Sequence, residues 1–242
     1  MSQARAWSVA LVGMQATMVE VEAAIGSGLP STTMVGLPDL ALSEAKARCR
    51  AAMASAHQSW PSNPVTINLS PAALPKSGSH YDLSIAAAVA AANQRCDRAA
   101  LDHVVLFGEL GLDGRVRNVR GLLPALLGAM QHGFARAVVP AGQLHEASLV
   151  EGLAVYGVAE LADLFAVLEG GPGAQAGPAA EVAPEPPIRL DLADVVGQSE
   201  AKWALEVAAA GRHHLYLYGP PGVGKTLLAE RLPSILPELH TD

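Results

Sequence analysis

The sequence predicts an α/β (α+β) protein built in two unequal parts, and three observations lead there. Strand-like and helix-like segments alternate with short connections across residues 1–169, the pattern of a sheet covered by helices. Residues 170–187 hold four glycines, five prolines, five alanines and no aromatic residue. Such a stretch cannot bury enough surface to offset its chain entropy, so it reads as a linker. Residues 189–242 then resume with a helix-like segment and a glycine-rich loop at 219–226. The expected boundaries are a domain at 1–169, a linker at 170–188 and the start of a second domain at 189–242.

A chain of 242 residues has room for one large domain or one and a half ordinary ones. Half of it is apolar and only 4% aromatic, so its cores are expected to be built from Ala, Val and Leu. The net charge is −7, with 11 basic against 14 acidic side chains before residue 170 and 5 against 9 after it. Neither part is basic, which argues against coating nucleic acid by bulk electrostatics.

Residues 7–14 and 16–25 alternate as two strands joined near Gly13, and Thr32–Val35 as a third. Pro38 and Asp39 open a helix running to about His57, with Leu42, Ala45, Cys49, Ala52 and Ala56 as its apolar stripe. Lys46 and Arg50 stand one turn apart on the other side, with Arg48 further round. The three read as a solvated face rather than a phosphate-contacting one. Val65–Leu69 is a short strand, punctuated afterwards by Pro71 and Pro75. Leu83–Asn93 is an alanine-rich helix, which Asp82 is expected to cap with Tyr81 packed beneath it.

Val104–Glu109 and Val116–Val119 flank Gly111-Leu-Asp-Gly114, a hairpin signal because Asp-Gly tolerates the positive φ of a tight turn. A helix over Gly121–Gln131 ends at Gly133. A strand at Ala137–Val139, a short helix at 143–150, a strand at Leu153–Tyr156 and a helix at 160–168 complete the first part. In the second part, Ser199 is expected to cap a helix that ends at Gly211.

Several features exclude other classes. Cys49 and Cys96 fit no metal spacing and are each placed in a helix, as thiols of a reducing compartment. His213 and His214 are adjacent and would point to opposite sides of a strand. Arg115 and Arg117 on one hairpin face, with Arg120 after it, read as a solvated hairpin rather than a DNA patch. Trp7, Trp60 and Trp203 are too scattered to stack bases. The apolar run from Trp7 to Met14 is interrupted by Gly13 and Gln15, unlike a signal peptide. No run approaches the roughly 20 apolar residues of a membrane span. The expectation is a soluble, cytoplasmic protein.

Gly219-Pro220-Pro221-Gly222-Val223-Gly224-Lys225-Thr226 fits the phosphate-binding loop G-x-x-x-x-G-K-[ST] at every fixed position. Leu215–Tyr218 leads in with the alternation of a buried strand, and Leu227–Leu232 leads out as a helix. Glycines let backbone N–H groups close around an anion. Lys225 supplies a charge to the β/γ-phosphates and Thr226 a hydroxyl to Mg²⁺. The cofactors expected are therefore ATP and Mg²⁺. Sixteen residues follow Thr226. None of them forms the second acidic strand that holds Mg²⁺ in such ATPases. The stretch reads as the front of an ATPase module, and no catalytic residue is assigned.

The chain resembles the magnesium-chelatase-like AAA+ ATPases of the YifB/ComM family. The resemblance runs through Val35-Gly-Leu-Pro38, Glu44 with Arg48, Asn68-Leu-Ser-Pro-Ala72 and Lys76-x-Gly-Ser-x-Tyr-Asp-Leu83. It continues in Gly108-Glu-Leu-x-Leu-Asp-Gly114, Glu146-Ala147, Gly197-Gln198 and the phosphate loop, and closes in Arg231-Leu-Pro-Ser-Ile-Leu-Pro237. It implies a ribosomal-S5-domain-2-like first domain, related to the proteolytic domain of Lon, followed by a P-loop AAA+ domain. It also implies a hexameric ring and, as in the competence protein of the family, DNA branch migration; a chelatase-type motor or a non-enzymatic interaction module are the alternatives. Val196, Gly197 and Gln198 are implied as one wall of the adenine pocket. Lon-type cleavage needs a Ser nucleophile with a Lys base, yet residues 77–201 contain no lysine. Ser79, His80 and Asp82 are sequence neighbours, which rarely converge as a triad. A working protease is not expected.

Overall fold

The computed structural model describes residues 2–13, 15–36, 39–74, 76, 78–173 and 190–237, the side chains of residues 40, 41 and 43 excepted. The linker expectation falls largely on 174–189, outside the described residues, as does Pro38. The chain divides into two compact units, Met1–Ala179 and Ala180–Asp242. Each is taken by itself.

The first unit is an α/β fold around a seven-stranded mixed sheet. Its strands are β1 (Ser2–Val12), β2 (Gln15–Ile25), β3 (Thr32–Val35), β4 (Val65–Ser70), β5 (Val104–Leu106), β8 (Arg136–Pro140) and β9 (Ala154–Val158), in the order β3-β4-β2-β1-β5-β8-β9. A separate two-stranded ribbon pairs β6 (Glu109–Leu110) with β7 (Val116–Arg117). Helices α1 (Leu40–Ser55), α2 (Asp82–Ala92), α3 (Leu122–Gln131), α4 (Leu144–Ala147) and α5 (Leu161–Leu168) complete the unit. β2 runs antiparallel to both β1 and β4, while β3 and β4, β1 and β5, β5 and β8, and β8 and β9 pair in parallel.

Strand alternation sorts the side chains into two cores. Ala4, Ala6 and Ala10 of β1, Leu106 of β5 and Val138 of β8 face one core with α1 and α2. Val9, Val105, Ala137 and Val139 face the other, with α3. The composition of α2 follows from its place. Every residue from Asp82 to Ala92 is buried, and six alanines let it approach both the sheet and α1 closely. Gly128 serves the same purpose in α3, since a Cβ there would lie 2.0 Å from Ala16 Cβ.

Several expectations need correction. The run at 104–109 is not one strand. Phe107 still bonds Val138 O at 2.9 Å, but the Gly108 N–H turns away to His80 O at 3.1 Å and so leaves the sheet. A Cβ at Gly108 would stand 2.6 Å from Val116 Cγ1, so only glycine fits where the ribbon folds back. Asp82 does not cap α2: Tyr81 holds the cap position with no side-chain bond, and Asp82 is the first helical residue, its carboxylate committed elsewhere. Cys96 lies in a bend after α2, not in a helix. The helix predicted at 143–150 is a 3₁₀ turn at Ala141–Gln143 followed by the short α4. Other boundaries fall within a few residues of expectation, and α1 is capped by Asp39, which accepts the Leu42 N–H at 2.7 Å.

In the second unit, a 3₁₀ turn at Leu192–Asp194 precedes α6 (Ser199–Gly211), α7 (Lys225–Ala229) and a 3₁₀ turn at Leu232–Ile235. Leu192, Val195, Leu205 and Leu228 form its core. Ser199 is not the cap of α6; Gln198 is, in left-handed conformation at φ +53°. The helix does end at Gly211, but the left-handed residue after it is Arg212. The strand expected at 215–218 is unpaired among the described residues, with Tyr216 and Tyr218 more than 80% exposed. Pairing defines a strand, and no described segment offers that run an edge.

Candidate nucleotide site

The loop that starts at Gly219 is shaped by its glycines. Gly219, Gly222 and Gly224 have φ of +155°, +84° and +83°, values that L side chains rarely adopt. At Gly222 an added Cβ would meet nothing within 4 Å, whereas at Gly224 it would lie 2.8 Å from Gln198 Nε2. The first position faces open space; the second packs the loop against the residues before α6.

Lys225, at the start of α7, reaches back across this loop. Its Nζ donates to Gly219 O at 2.9 Å and Pro220 O at 2.7 Å. The ammonium thus lies over the mouth of the loop, where an anion would meet it. Thr226 is exposed, so its hydroxyl is accessible to a cation. Among the described residues no group of three or more His, Cys, Asp or Glu is arranged to hold a metal. A metal here would draw on Thr226 and on oxygens of a bound phosphate.

Gln198 joins the two halves of the unit. Its Nε2 donates to Val223 O at 3.2 Å, and the amide is held there although a left-handed backbone costs a non-glycine residue about 1–2 kcal/mol. Gly197, at φ +74°, precedes it, and Val196 is 95% exposed. The structure therefore brings Gly197–Gln198 to the phosphate-type loop, as their place in the sequence alone did not require. The closing run at 231–237 has a structural role: Ser234 Oγ accepts the Leu192 N–H at 3.0 Å and donates to Arg231 O at 2.8 Å. The residues present fit a nucleotide phosphate chain: left-handed glycines beside open space, a lysine at the mouth and a free hydroxyl.

In the first unit, residues far apart in sequence converge on a buried ion pair that sequence reasoning missed. Arg48 donates Nε to Asp82 Oδ2 at 2.7 Å and Nη2 to Asp82 Oδ1 at 3.0 Å. Asp82 Oδ2 also accepts the Leu110 N–H at 3.1 Å, and Glu44 lies 3.9 Å from Arg48. The pair ties α1, α2 and the β6–β7 ribbon together. Burial pushes the Asp82 carboxyl up to about 6, against the opposing pull of the Arg48 hydrogen bond. So Arg48 is not part of a solvated face, although Lys46 and Arg50 are exposed. No spacing rule relates two residues 34 positions apart on different helices.

Ser79, His80 and Asp82 are not hydrogen-bonded to one another among the described residues. The Ser79 hydroxyl donates to the Glu109 carboxylate, His80 Nε2 donates to Val9 O at 2.9 Å, and Asp82 is taken by Arg48. The three therefore point to different partners. Burial holds the His80 imidazole below its ordinary value. Arg115 and Arg117 lie 3.6 and 3.8 Å from Asp113 and Glu109 of their own hairpin, with both arginines exposed. No helix among the described residues is long and apolar enough to cross a membrane.

Similarity to known proteins follows the two units. Residues 21–143 match the family described as subunit ChlI of Mg-chelatase, and residues 191–242 match magnesium chelatase, subunit ChlI. An uncharacterized protein of Mycobacterium tuberculosis is 54% identical over 239 residues, covering 99% of this chain and 47% of that protein. Competence protein ComM of Haemophilus influenzae is 39% identical over 245 residues (99% and 48%), and YifB of Escherichia coli 39% over 233 (96% and 46%). The chain spans about half the length of the curated relatives it matches.

Proposed function

Because this chain belongs to the magnesium-chelatase ChlI family, as a YifB/ComM-like AAA+ protein with a ChlI-like first part, we propose that its second unit binds ATP with Mg²⁺ through residues 219–226. The observation that carries this is the loop itself: three left-handed glycines, with the Lys225 ammonium lying across the loop mouth. Backbone N–H groups of Gly222 to Lys225 hold the phosphates, Lys225 exchanges its carbonyl partners for phosphate oxygens, and Thr226 donates a ligand to the metal. Residues 196–198 form a wall of the base pocket, with Gln198 fixing the loop to it. ATP supplies the phosphoryl transfer; this chain's residues position it.

We further propose that the whole protein is a cytoplasmic, ring-forming motor that remodels DNA. The 39% identity to a competence protein supports this; on the same reading the first domain is S5-domain-2-like and spans 1–169, with a linker at 170–188 and the AAA+ part from 189. The test is a four-way DNA junction incubated with the complete protein and ATP. Strand exchange that is lost in Lys225→Ala supports the reading. Insertion of Mg²⁺ into a porphyrin, with no action on junctions, would replace it by a chelatase motor.

A further inference from the structure

β1 keeps one edge open where the first unit has a cavity. It pairs with β2 from Ser2 to Val12, but with β5 only at Trp7 and Val105. Past that point β5 turns off at Gly108. A cavity of about 370 Å³ remains between the end of β1, the turn at 78–81 and the segment leading into α3. That volume lies within the range of small-ligand sites.

The open edge has a definite hydrogen-bonding character. The Val9 carbonyl accepts from His80 and so points away from β2. Backbone direction repeats every second residue, so the Leu11 N–H and C=O point the same way. Neither has a hydrogen-bond partner among the described residues. Leu11 and Val119 give the cavity its half-buried apolar wall, behind which Val9, Phe107, Leu122 and Ala125 are buried. The Tyr81 hydroxyl, buried on a residue that lines the cavity, also has no partner among the described residues. Arg120 lines it as well, exposed and without an ion pair among the described residues.

We propose that this cleft is a peptide-binding site. It takes an extended segment of a partner protein that adds as a strand to β1 at Leu11, seats an apolar side chain against the half-buried Leu11 and Val119, and sets a following carboxylate against Arg120. A donor and an acceptor on one residue of an open edge match the alternating groups of another backbone. A polyphosphate or nucleic acid fits worse, because among the described residues Arg120 is the one cation in the lining and the Glu109 carboxylate lies in it too. The site is independent of the nucleotide loop, and its test is independent as well.

The probe is a pool of fluorescein-labelled pentapeptides with Leu fixed at the third position and Glu at the fifth, titrated into the full chain without nucleotide. Saturable anisotropy is expected, together with slowed hydrogen exchange at the Leu11 amide. Arg120→Glu, an exposed change, should weaken binding at least tenfold while thermal unfolding is unchanged. Leu11→Pro removes the open-edge N–H and should weaken it further. No saturation at millimolar peptide, binding indifferent to both variants, or protection of Leu11 by an oligonucleotide in place of peptide would each overturn the proposal.

Discussion

Replacing Arg48 by Met should destabilise the first unit by about 3–5 kcal/mol at pH 7, the cost of removing one partner from a buried ion pair. The Asp82 side chain is fully buried and, among the described residues, keeps the Leu110 N–H as its one hydrogen-bond donor once the guanidinium is gone. An exposed pair would cost less than about 1 kcal/mol, so the size of the effect separates the two cases. Urea unfolding followed by tryptophan emission is a suitable assay. Trp7 packs edge-on against Phe134 at 5.6 Å, while Trp203 in the second unit is 67% exposed and contributes little change. Arg48→Met combined with Asp82→Asn leaves no charge behind and should recover part of the loss. The sign of the pH dependence follows from Asp82. Its folded value of about 6 lies above the ordinary 3.8, so folding takes up a proton between them. The stability it contributes is complete below 3.8 and is lost as pH rises through about 6. Relative to Asp82→Asn, the wild-type chain should therefore lose about 2 kcal/mol between pH 4 and 7. A difference that rises with pH would mean that Arg48 outweighs burial, and an Arg48→Met cost below about 1 kcal/mol would refute the buried-pair reasoning.

Three further outcomes are expected. Gly128→Ala places a methyl 2.0 Å from Ala16 Cβ and should lower the urea midpoint by an amount worth about 1–3 kcal/mol; an unchanged midpoint would show that α3 shifts freely. Gln198→Ala removes the bond to Val223 O and should weaken ATP binding about three- to tenfold, or roughly one neutral hydrogen bond, without altering the unfolding of the first unit. Limited proteolysis should release a resistant fragment ending between Leu168 and Pro187, as the Gly/Pro/Ala composition there requires; first cleavage inside 1–165 would move the boundary.

Local signals were legible in the sequence, and tertiary ones were not. The Asp-Gly turn at 113–114, the Asp39 cap and the left-handed Gly133 each state a backbone requirement on their own. The alternation in β1 and β2 did the same for the sheet. Asp82 was misplaced because an aspartate at a helix start is compatible with a cap, and only the fold shows Arg48 arriving from another helix. The 104–109 run looked continuous because its apolar pattern does not register the backbone leaving the sheet at Gly108. At the phosphate-type loop the residue types were readable, but Gln198 reaching Val223 was not. Leu215–Tyr218 has a strand's alternation without a described partner, since pattern alone cannot supply an edge.

The central claim, a nucleotide site at residues 219–226, is tested most directly by titrating a fluorescent ATP analogue with Mg²⁺ into the chain and into Lys225→Ala. A hydrogen bond from a charged donor is worth about 1.5–3 kcal/mol, so the variant should bind roughly ten- to a hundredfold more weakly with its unfolding unchanged. Equal affinity in the two chains, or no saturable binding in either, would contradict the account.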